Sequence, residues 1–431
     1  MRRAWATFEF YCSLFLVRVL RSTGFVRRSS CSVLLLPATK SDKGLGDETM
    51  MKSVAYAMRQ HACREVHLLH YNRDDSWKRL HCFDKEIDVF DKFYRPKVGD
   101  WLRLCLRLAH YSHFFCLGAD VVDGHHSPPT AKHMLRILRA AGVLRLDARL
   151  LGFSWNQEPS KEIIAAFKAL PDSVLLVARD PTSCMRLRRR LTHSIVSAAD
   201  TAFSFHHQGE TPHVAALLDW CRTQREDPDR LLLGINLSSM AFNIENDEDG
   251  ATVIGNVSQG LFALKAQHPK LSIVAIPHDL RKFSTPSDIE LAQALVLCLK
   301  KDFGEAVQCL PADIDPEDIS AIVQKVDLVF TGRMHLAIAA LRNGIPIACV
   351  PYQGKFKGLI RLFVLSDVVI DPEDAQQPEL LCAFLHSCLE RRAEFKTAIA
   401  SHLPEILRLS ALNFCEREEL AHWTESSETA P

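Results

Sequence analysis

The sequence predicts an α/β protein built from two doubly wound halves, and three observations carry that expectation. Short apolar, β-favouring runs alternate with segments of helical periodicity along most of the chain. A charged, turn-forming stretch, Arg222–Arg230 (RTQREDPDR), interrupts the alternation near the middle. The length, 431 residues, suits two domains of about 200 residues each.

Strands are expected in the first half at Ser32–Pro37, Val66–His70, His113–Gly118, Leu150–Trp155, Ser173–Ala178 and Thr201–Phe205. In the second half they are expected at Leu231–Leu237, Leu271–Pro277, Asp327–Phe330, Ile345–Val350 and Val368–Ile370. Helical spacing fills intervals such as Glu48–Gln60 and Lys161–Leu170. The reading is therefore a first domain at 32–225 and a second at 226–423, with a basic extension at 1–31 and a disordered tail at 424–431. Helices between Pro378 and Trp423 are expected to cross back onto the first half. Two Rossmann-like domains facing a cleft make a GT-B-like arrangement. The charged linker and the long C-terminal helices favour it over a single (β/α)₈ barrel.

Composition narrows the function. Hydrophobic residues at 47% and charged residues at 24% are those of an ordinary globular protein, which excludes a disordered chain. Lys+Arg and Asp+Glu both number 52, so no overall basic excess draws the chain to nucleic acid, and any anion site must be local. The 14 cysteines are scattered without a C-x-x-C pair and read as reduced thiols of a cytoplasmic protein.

The first thirty residues carry Arg2, Arg3, Arg18, Arg21, Arg27 and Arg28 against a single acid, Glu9. Glu9 and Arg18 bracket only a short apolar run, too short for a secretory signal core or a membrane span. An amphipathic first helix or an extension, able to touch the inner face of a membrane, is the expectation.

The most informative stretch is Val326–Gly358. There the apolar run DLVF hands over through TGRMH to a helix, then to GIP, a second strand and the lysine-bearing YQGKFKG. Arg333 and His335 are thereby placed at a strand's carboxyl edge, where open α/β sheets bind ligands and a helix N-terminus favours an anion. After the first strand, Gly44 and Gly46 precede Asp47-Glu48 at a helix start. Small residues let backbone approach a ligand, while Asp47 is either a dipole-complementing residue or a carboxylate that orients or deprotonates a hydroxyl. Neither G-x-G-x-x-G nor G-x-x-x-x-G-K-[ST] occurs, so a dinucleotide fingerprint and a P-loop are both missing.

These residues resemble the polysaccharide pyruvyl transferase family, whose members move the pyruvyl group of phosphoenolpyruvate onto a sugar as a ketal. The resemblance rests on GLGDET, LLVARDPTSCMRLR with Arg179-Asp180, ADTAFSF, VAIPHDLRKFSTPSDIELAQAL with Asp288, and TGRMHLAIAALRNGIPIACVPYQGKFKG, spread over about Val33 to Asp371. It departs from the family at LGADVVDGHHSPP, where Ala119, Asp120 and Asp123 replace a glycine cluster. His125 and His126 in that loop lack further ligands at metal-binding spacing, and no metal is expected. Phosphoenolpyruvate is the expected co-substrate, with no further cofactor.

The resemblance implies roles. A guanidinium can grip a carboxylate or phosphate bidentately, which suits Arg333, with Lys355, Lys357 and Arg179 as further cations. His335 could act as acid or phosphate donor, because an imidazole titrates near 6.5. Asp47 is the preferred base, with His278 or Asp288 as substitutes, although Asp288 could equally cap the following helix. Trp155 could stack on a sugar or pack in the core. The implied acceptor is a saccharide, lipid-linked or nucleotide-linked, in exopolysaccharide or cell-envelope assembly. Two other readings stay open: a GT-B glycosyltransferase using a nucleotide sugar, and a non-catalytic sugar-binding or scaffolding protein.

Overall fold

Residues 2–26, 29, 31–40, 42–71, 77–88, 97–125, 127–207, 211–351 and 355–420 are described by a computed structural model. The chain divides into two compact units, the first made of Met1–Asp42, Met50–Phe205 and Leu407–Pro431, the second of Lys43–Thr49 and His206–Ile406. The division thus falls after Phe205, ahead of the charged linker, because Ala215–Gln224 forms a helix that packs on the second unit's helix Pro316–Val323.

Unit 1 holds a seven-stranded sheet of β1 (Ser32–Leu36), β2 (Glu65–Leu69), β3 (Lys85–Ile87), β4 (His113–Ala119), β5 (Asp147–Phe153), β6 (Leu175–Ala178) and β7 (Ile195–Ser197). Its order is β3-β2-β1-β4-β5-β6-β7. Unit 2 holds a five-stranded sheet of β8 (Leu231–Asn236), β9 (Leu271–Ala275), β10 (Val307–Cys309), β11 (Leu328–Thr331) and β12 (Ile347–Cys349), in the order β10-β9-β8-β11-β12. Every pairing is parallel. Each sheet starts at its centre, grows to one edge, then reverses, which is the doubly wound pattern. Central strands such as β1 and β11 are buried along their whole length, as parallel strands covered by helices on both faces must be.

Three expectations are corrected. Thr201–Phe205 is not a strand: Thr201–Ser204 is a 3₁₀ turn whose start Asp200 caps by accepting from the Ala202 amide at 2.9 Å, and the edge strand is β7 instead. Val368–Ile370 supplies only an isolated bridge, Cys349 to Val369. The cysteines are not all reduced: Cys31 and Cys63 form a disulfide with Cα atoms 4.8 Å apart. They precede β1 and β2, and the register Ser32 to Glu65 sets those strand starts side by side.

The N-terminal segment belongs to unit 1 rather than standing apart from it. The helix Arg2–Ser22 buries Phe10, Ser13, Leu14 and Val17, and Phe10 meets Trp101 edge to face at 4.8 Å. Among the described residues, no helix is long and apolar enough to cross a membrane. The C-terminal residues return to the same unit. Buried Arg149 donates to the Asn413 and Cys415 carbonyls at 3.1 and 2.8 Å, and Arg417 pairs with Asp147 at 2.7 Å. Trp155 is a core residue, packed edge to face on Phe167 at 4.7 Å.

These two faces of the first helix make a direct prediction. Phe10→Ala removes a buried ring and should cost roughly 3–5 kcal/mol in denaturant unfolding, whereas Phe15→Ala, on the exposed face, should stay within about 0.5 kcal/mol of wild type.

Candidate active site

In unit 2 the sheet order reverses between β8 and β11, and their carboxyl ends are tied directly. The Thr331 hydroxyl donates to Asn236 Oδ1 at 3.0 Å, and Asn236 Nδ2 donates to the Ile276 carbonyl at 3.0 Å and to Asp288 Oδ2 at 2.9 Å. Asn236, Thr331 and Asp288 are all buried. The chain then turns at Gly332, where a Cβ would lie 2.4 Å from the Ala241 Cβ, so only glycine fits that approach. The Arg333 amide bonds back to Thr331 Oγ1 at 2.9 Å, and Met334–Arg342 starts as a helix with His335 in its first turn.

Arg333 is held by carboxylates. It grips Asp288 through Nη2 at 2.6 Å and Nε at 3.2 Å, and its Nη1 lies 3.4 Å from Asp279 Oδ2. Asp288 Oδ2 also accepts from the His278 and Asp279 amides at 3.2 and 3.1 Å. The helix cap is Ser287, in a reciprocal box with Glu290, so Asp288 is the first helical residue and its carboxylate serves Arg333.

A second guanidinium completes the cluster. Arg281 grips Asp279 through Nε at 2.8 Å and Nη2 at 2.7 Å, and reaches Asp47 Oδ2 with Nη1 at 3.4 Å. The Lys43–Thr49 segment is pinned here by its backbone: Leu280 donates to the Lys43 carbonyl at 2.8 Å, and Gly44 bridges Asp279. Buried Glu48 folds back to accept from the Lys43 amide at 2.6 Å. Glycines allow this closeness. A Cβ on Gly46 would meet His335 Nδ1 at 2.4 Å, and one on Gly44 would meet Asp47 Oδ2 at 2.8 Å.

The electrostatics follow from this packing. Burial would lower the Arg333 pKa, but Asp288 and Asp279 outweigh it and raise it, so the charge is permanent. Burial raises the Asp279 carboxyl, yet the hydrogen bond from Arg281 and the charges of Arg333 and Arg281 hold it below its ordinary range. His278 is the opposite case. Burial, with the nearby His335 and Arg333, pushes it down to about 3, and its two ring nitrogens have no hydrogen-bond partner among the described residues. It is a neutral, inward-facing ring at neutral pH.

The structure thus brings together Gly44, Gly46, Asp47, His278, Asp288, Arg333 and His335. Sequence reasoning missed Asn236, Asp279 and Arg281; the last two lie in PHDLRK, directly after β9, and that strand-end position was the available signal. Arg179 is in unit 1, buried and engaged by Asp200 Oδ2 at 3.1 Å and Ser154 Oγ at 2.9 Å. Asp180 caps the next helix. Lys357 is exposed in the first turn of the helix Lys355–Phe363; the Lys355 side chain and residues 352–354 lie outside the described residues. The His125 amide donates to Asp123 at 3.0 Å, and His126 also lies outside them.

Three carboxylates and two guanidiniums, tied to a doubly wound sheet at its reversal point, can orient an anion at the adjacent helix N-terminus and move protons beside it. Two such sheets in one chain place it in the GT-B class of α/β proteins. Solved structures share this fold at low identity. A Listeria monocytogenes protein assigned as a UDP-N-acetylglucosamine 2-epimerase has a TM-score of 0.60 and 11% identity, covering 93% of this chain and 98% of its own. MnaA of S. aureus with UDP gives 0.53 and 11%, covering 86% and 92%. A Rickettsia africae glycosyltransferase gives 0.53 and 11%, covering 93% and 99%. No curated protein sequence matches the chain. The chain belongs to the polysaccharide pyruvyl transferase family, whose model matches residues 45–354, a span containing the whole cluster from Leu45 onward.

Two predictions follow from this geometry. Gly46→Ala should displace the His335 ring, read as a shift of its imidazole proton resonances with the fold otherwise retained. For His278, the unfolded chain takes up a proton below its ordinary 6.5 while the folded protein does so only near 3. Stability present above 6.5 is therefore lost as pH falls through that window, by at most about 1.4 kcal/mol per pH unit. His278→Leu should flatten that slope in denaturant titrations between about pH 6 and 4.

Proposed function

We propose that this protein transfers the pyruvyl group of phosphoenolpyruvate to a pair of hydroxyls on a saccharide, forming a ketal and releasing phosphate. The observation that carries the reading is the placing of Arg333 and His335 at a helix N-terminus on the reversal point of the unit 2 sheet, within a family-matched span. Phosphoenolpyruvate presents a carboxylate and a phosphate, and Arg333, fixed in orientation by Asp288, can address either through the Nη N–H groups that Asp288 does not take. Lys357, exposed at the start of the next helix, supplies further positive charge, and Lys355 is the second cation this reading assigns to the donor.

The reaction needs one proton delivered to the enol methylene carbon, attack of a sugar hydroxyl on the neighbouring carbon, loss of phosphate and closure by a second hydroxyl. Two hydroxyl protons are lost; one balances the new methyl group and the other leaves with phosphate. His335 donates and Asp47 accepts in this reading. Arg281 anchors Asp47 through Nη1, and the absence of a side chain at Gly46 lets the segment carrying Asp47 approach His335 closely. His278 and Asp288 hold the surroundings rather than carry protons. Phosphoenolpyruvate is the only co-substrate besides the acceptor. The acceptor is a saccharide carried on a lipid or nucleotide, in exopolysaccharide or cell-envelope assembly, with the protein cytoplasmic and peripheral to the membrane's inner face.

A nucleotide-sugar glycosyltransferase is the competing reading, favoured by one observation: the similarly folded S. aureus MnaA is seen with UDP. Thermal-shift titration of wild type and His335→Ala with phosphoenolpyruvate and with nucleotide sugars separates the two. Ligand at about 100 times its dissociation constant should add roughly 2.7 kcal/mol of stability. A phosphoenolpyruvate shift abolished by His335→Ala is expected. A shift with nucleotide sugars alone would replace the proposal with glycosyl transfer, and no shift with either would point to a non-catalytic sugar-binding or scaffolding role.

A further inference from the structure

The helix Arg2–Ser22 is apolar on two opposite faces. Phe10, Leu14 and Val17 point into the unit 1 core. At 100° per residue, Phe8, Tyr11, Phe15 and Val19 form a second stripe on the reverse side, with Leu16 beside it. This stripe is in the open: Phe15 is 73% exposed, Phe8 60%, and Phe25, just beyond the helix, 83%. A core-packing helix has no use for a second stripe, and an aromatic-rich patch of this kind on a folded surface marks an interaction site.

Its border is cationic. Arg139 lies over the Tyr11 ring at 5.3 Å and donates to its hydroxyl at 2.8 Å. Where the helix ends, a cavity of about 530 Å³ opens among Phe15, Val19 and Leu144, and Arg18, Arg21 and Arg145 line it. Arg21 is anchored through the Leu144 carbonyl. The only acid among the first thirty residues, Glu9, is turned away to accept from the Gly99 amide at 2.6 Å.

We infer that this face is a docking surface for an anionic bilayer. The aromatic and aliphatic stripe would enter the boundary between headgroups and acyl chains. Arg18, Arg139 and Arg145 would meet lipid phosphates, and the cavity would take a single headgroup. Charge complementarity selects this occupant: a second copy of the chain would set the same arginines against each other, whereas an anionic membrane satisfies both the stripe and its rim. The inference rests on the membrane-peripheral part of the proposed function alone and not on the donor chemistry.

Its test is co-sedimentation of the full chain with phosphatidylcholine vesicles, with and without phosphatidylglycerol, read without phosphoenolpyruvate so that the two proposals fail separately. The protein should pellet with the anionic vesicles at low salt and be released at high salt. Phe15→Ser combined with Leu16→Ser, and separately Arg18→Glu combined with Arg145→Glu, should each weaken binding by roughly tenfold or more. All four positions are solvent-facing, and circular dichroism melts matching wild type would show that the variants fold. Failure of the wild type to pellet, equal pelleting with neutral vesicles, equal pelleting of the variants, or self-association without vesicles would each overturn the inference.

Discussion

The Asp288 carboxylate is buried at the carboxyl edge of the second sheet, and a carboxylate so placed is tolerated only if donors surround it. Its Oδ2 collects the Asn236 amide, two backbone N–H groups and Arg333 Nε, and its Oδ1 takes Arg333 Nη2. Those donors come from the end of β8, the loop after β9 and the turn after β11. One side chain therefore fixes three strand ends and the direction of a guanidinium. The same loop continues into Asp279 and Arg281, which extend the alternation of charge to Asp47. Remove the central acceptor and the half-buried Arg333 guanidinium loses its bidentate partner while two backbone amides lose their acceptor.

The cluster's charge balance bears on how a ligand could be held. Both arginines are already paired with carboxylates, so they do not form a bare cationic pocket. In the proposed reading an arriving anion would gain from their remaining N–H groups and from the first amides of the Met334–Arg342 helix, rather than from a large unbalanced field. The carboxylates serve as rigid holders. Orientation is purchased with partial neutralisation, an arrangement better suited to aligning a small ligand than to attracting it from a distance.

Much of this was legible in the amino-acid sequence, for reasons that differ by element. DLVF and SVLLL read as strands because parallel strands buried on both faces are continuous apolar runs, and Arg333 and His335 stood out by following one. The short edge strands KEI and VQC carry polar residues and leave no such signal. ADTAFSF looked like a strand because its apolar residues are buried, but Asp200 caps it into a 3₁₀ turn. Asp279 and Arg281 carry only their position after β9 as a signal, since the partners that draw them into the cluster, Arg333 and Asp47, lie far off in sequence. The Cys31–Cys63 bond was hidden, since it depends on strand register rather than on spacing. The basic first segment reads in sequence as either an extension or an amphipathic helix, and the inner stripe that makes it part of unit 1 is visible only with Trp101 against it.

The anchoring of the C-terminal residues carries a consequence for how the chain is made. Arg149, in β5, is buried and bonded to the carbonyls of Asn413 and Cys415, and Asp147 beside it takes Arg417. Unit 2 has all of its residues once position 406 has been synthesised, but unit 1 does not until the segment from 407 has followed. Domains that emerge first from the ribosome ordinarily finish folding first. Here the order of completion is inverted: unit 1 must hold the buried Arg149 guanidinium without the Asn413 and Cys415 carbonyls until all of unit 2 has been made.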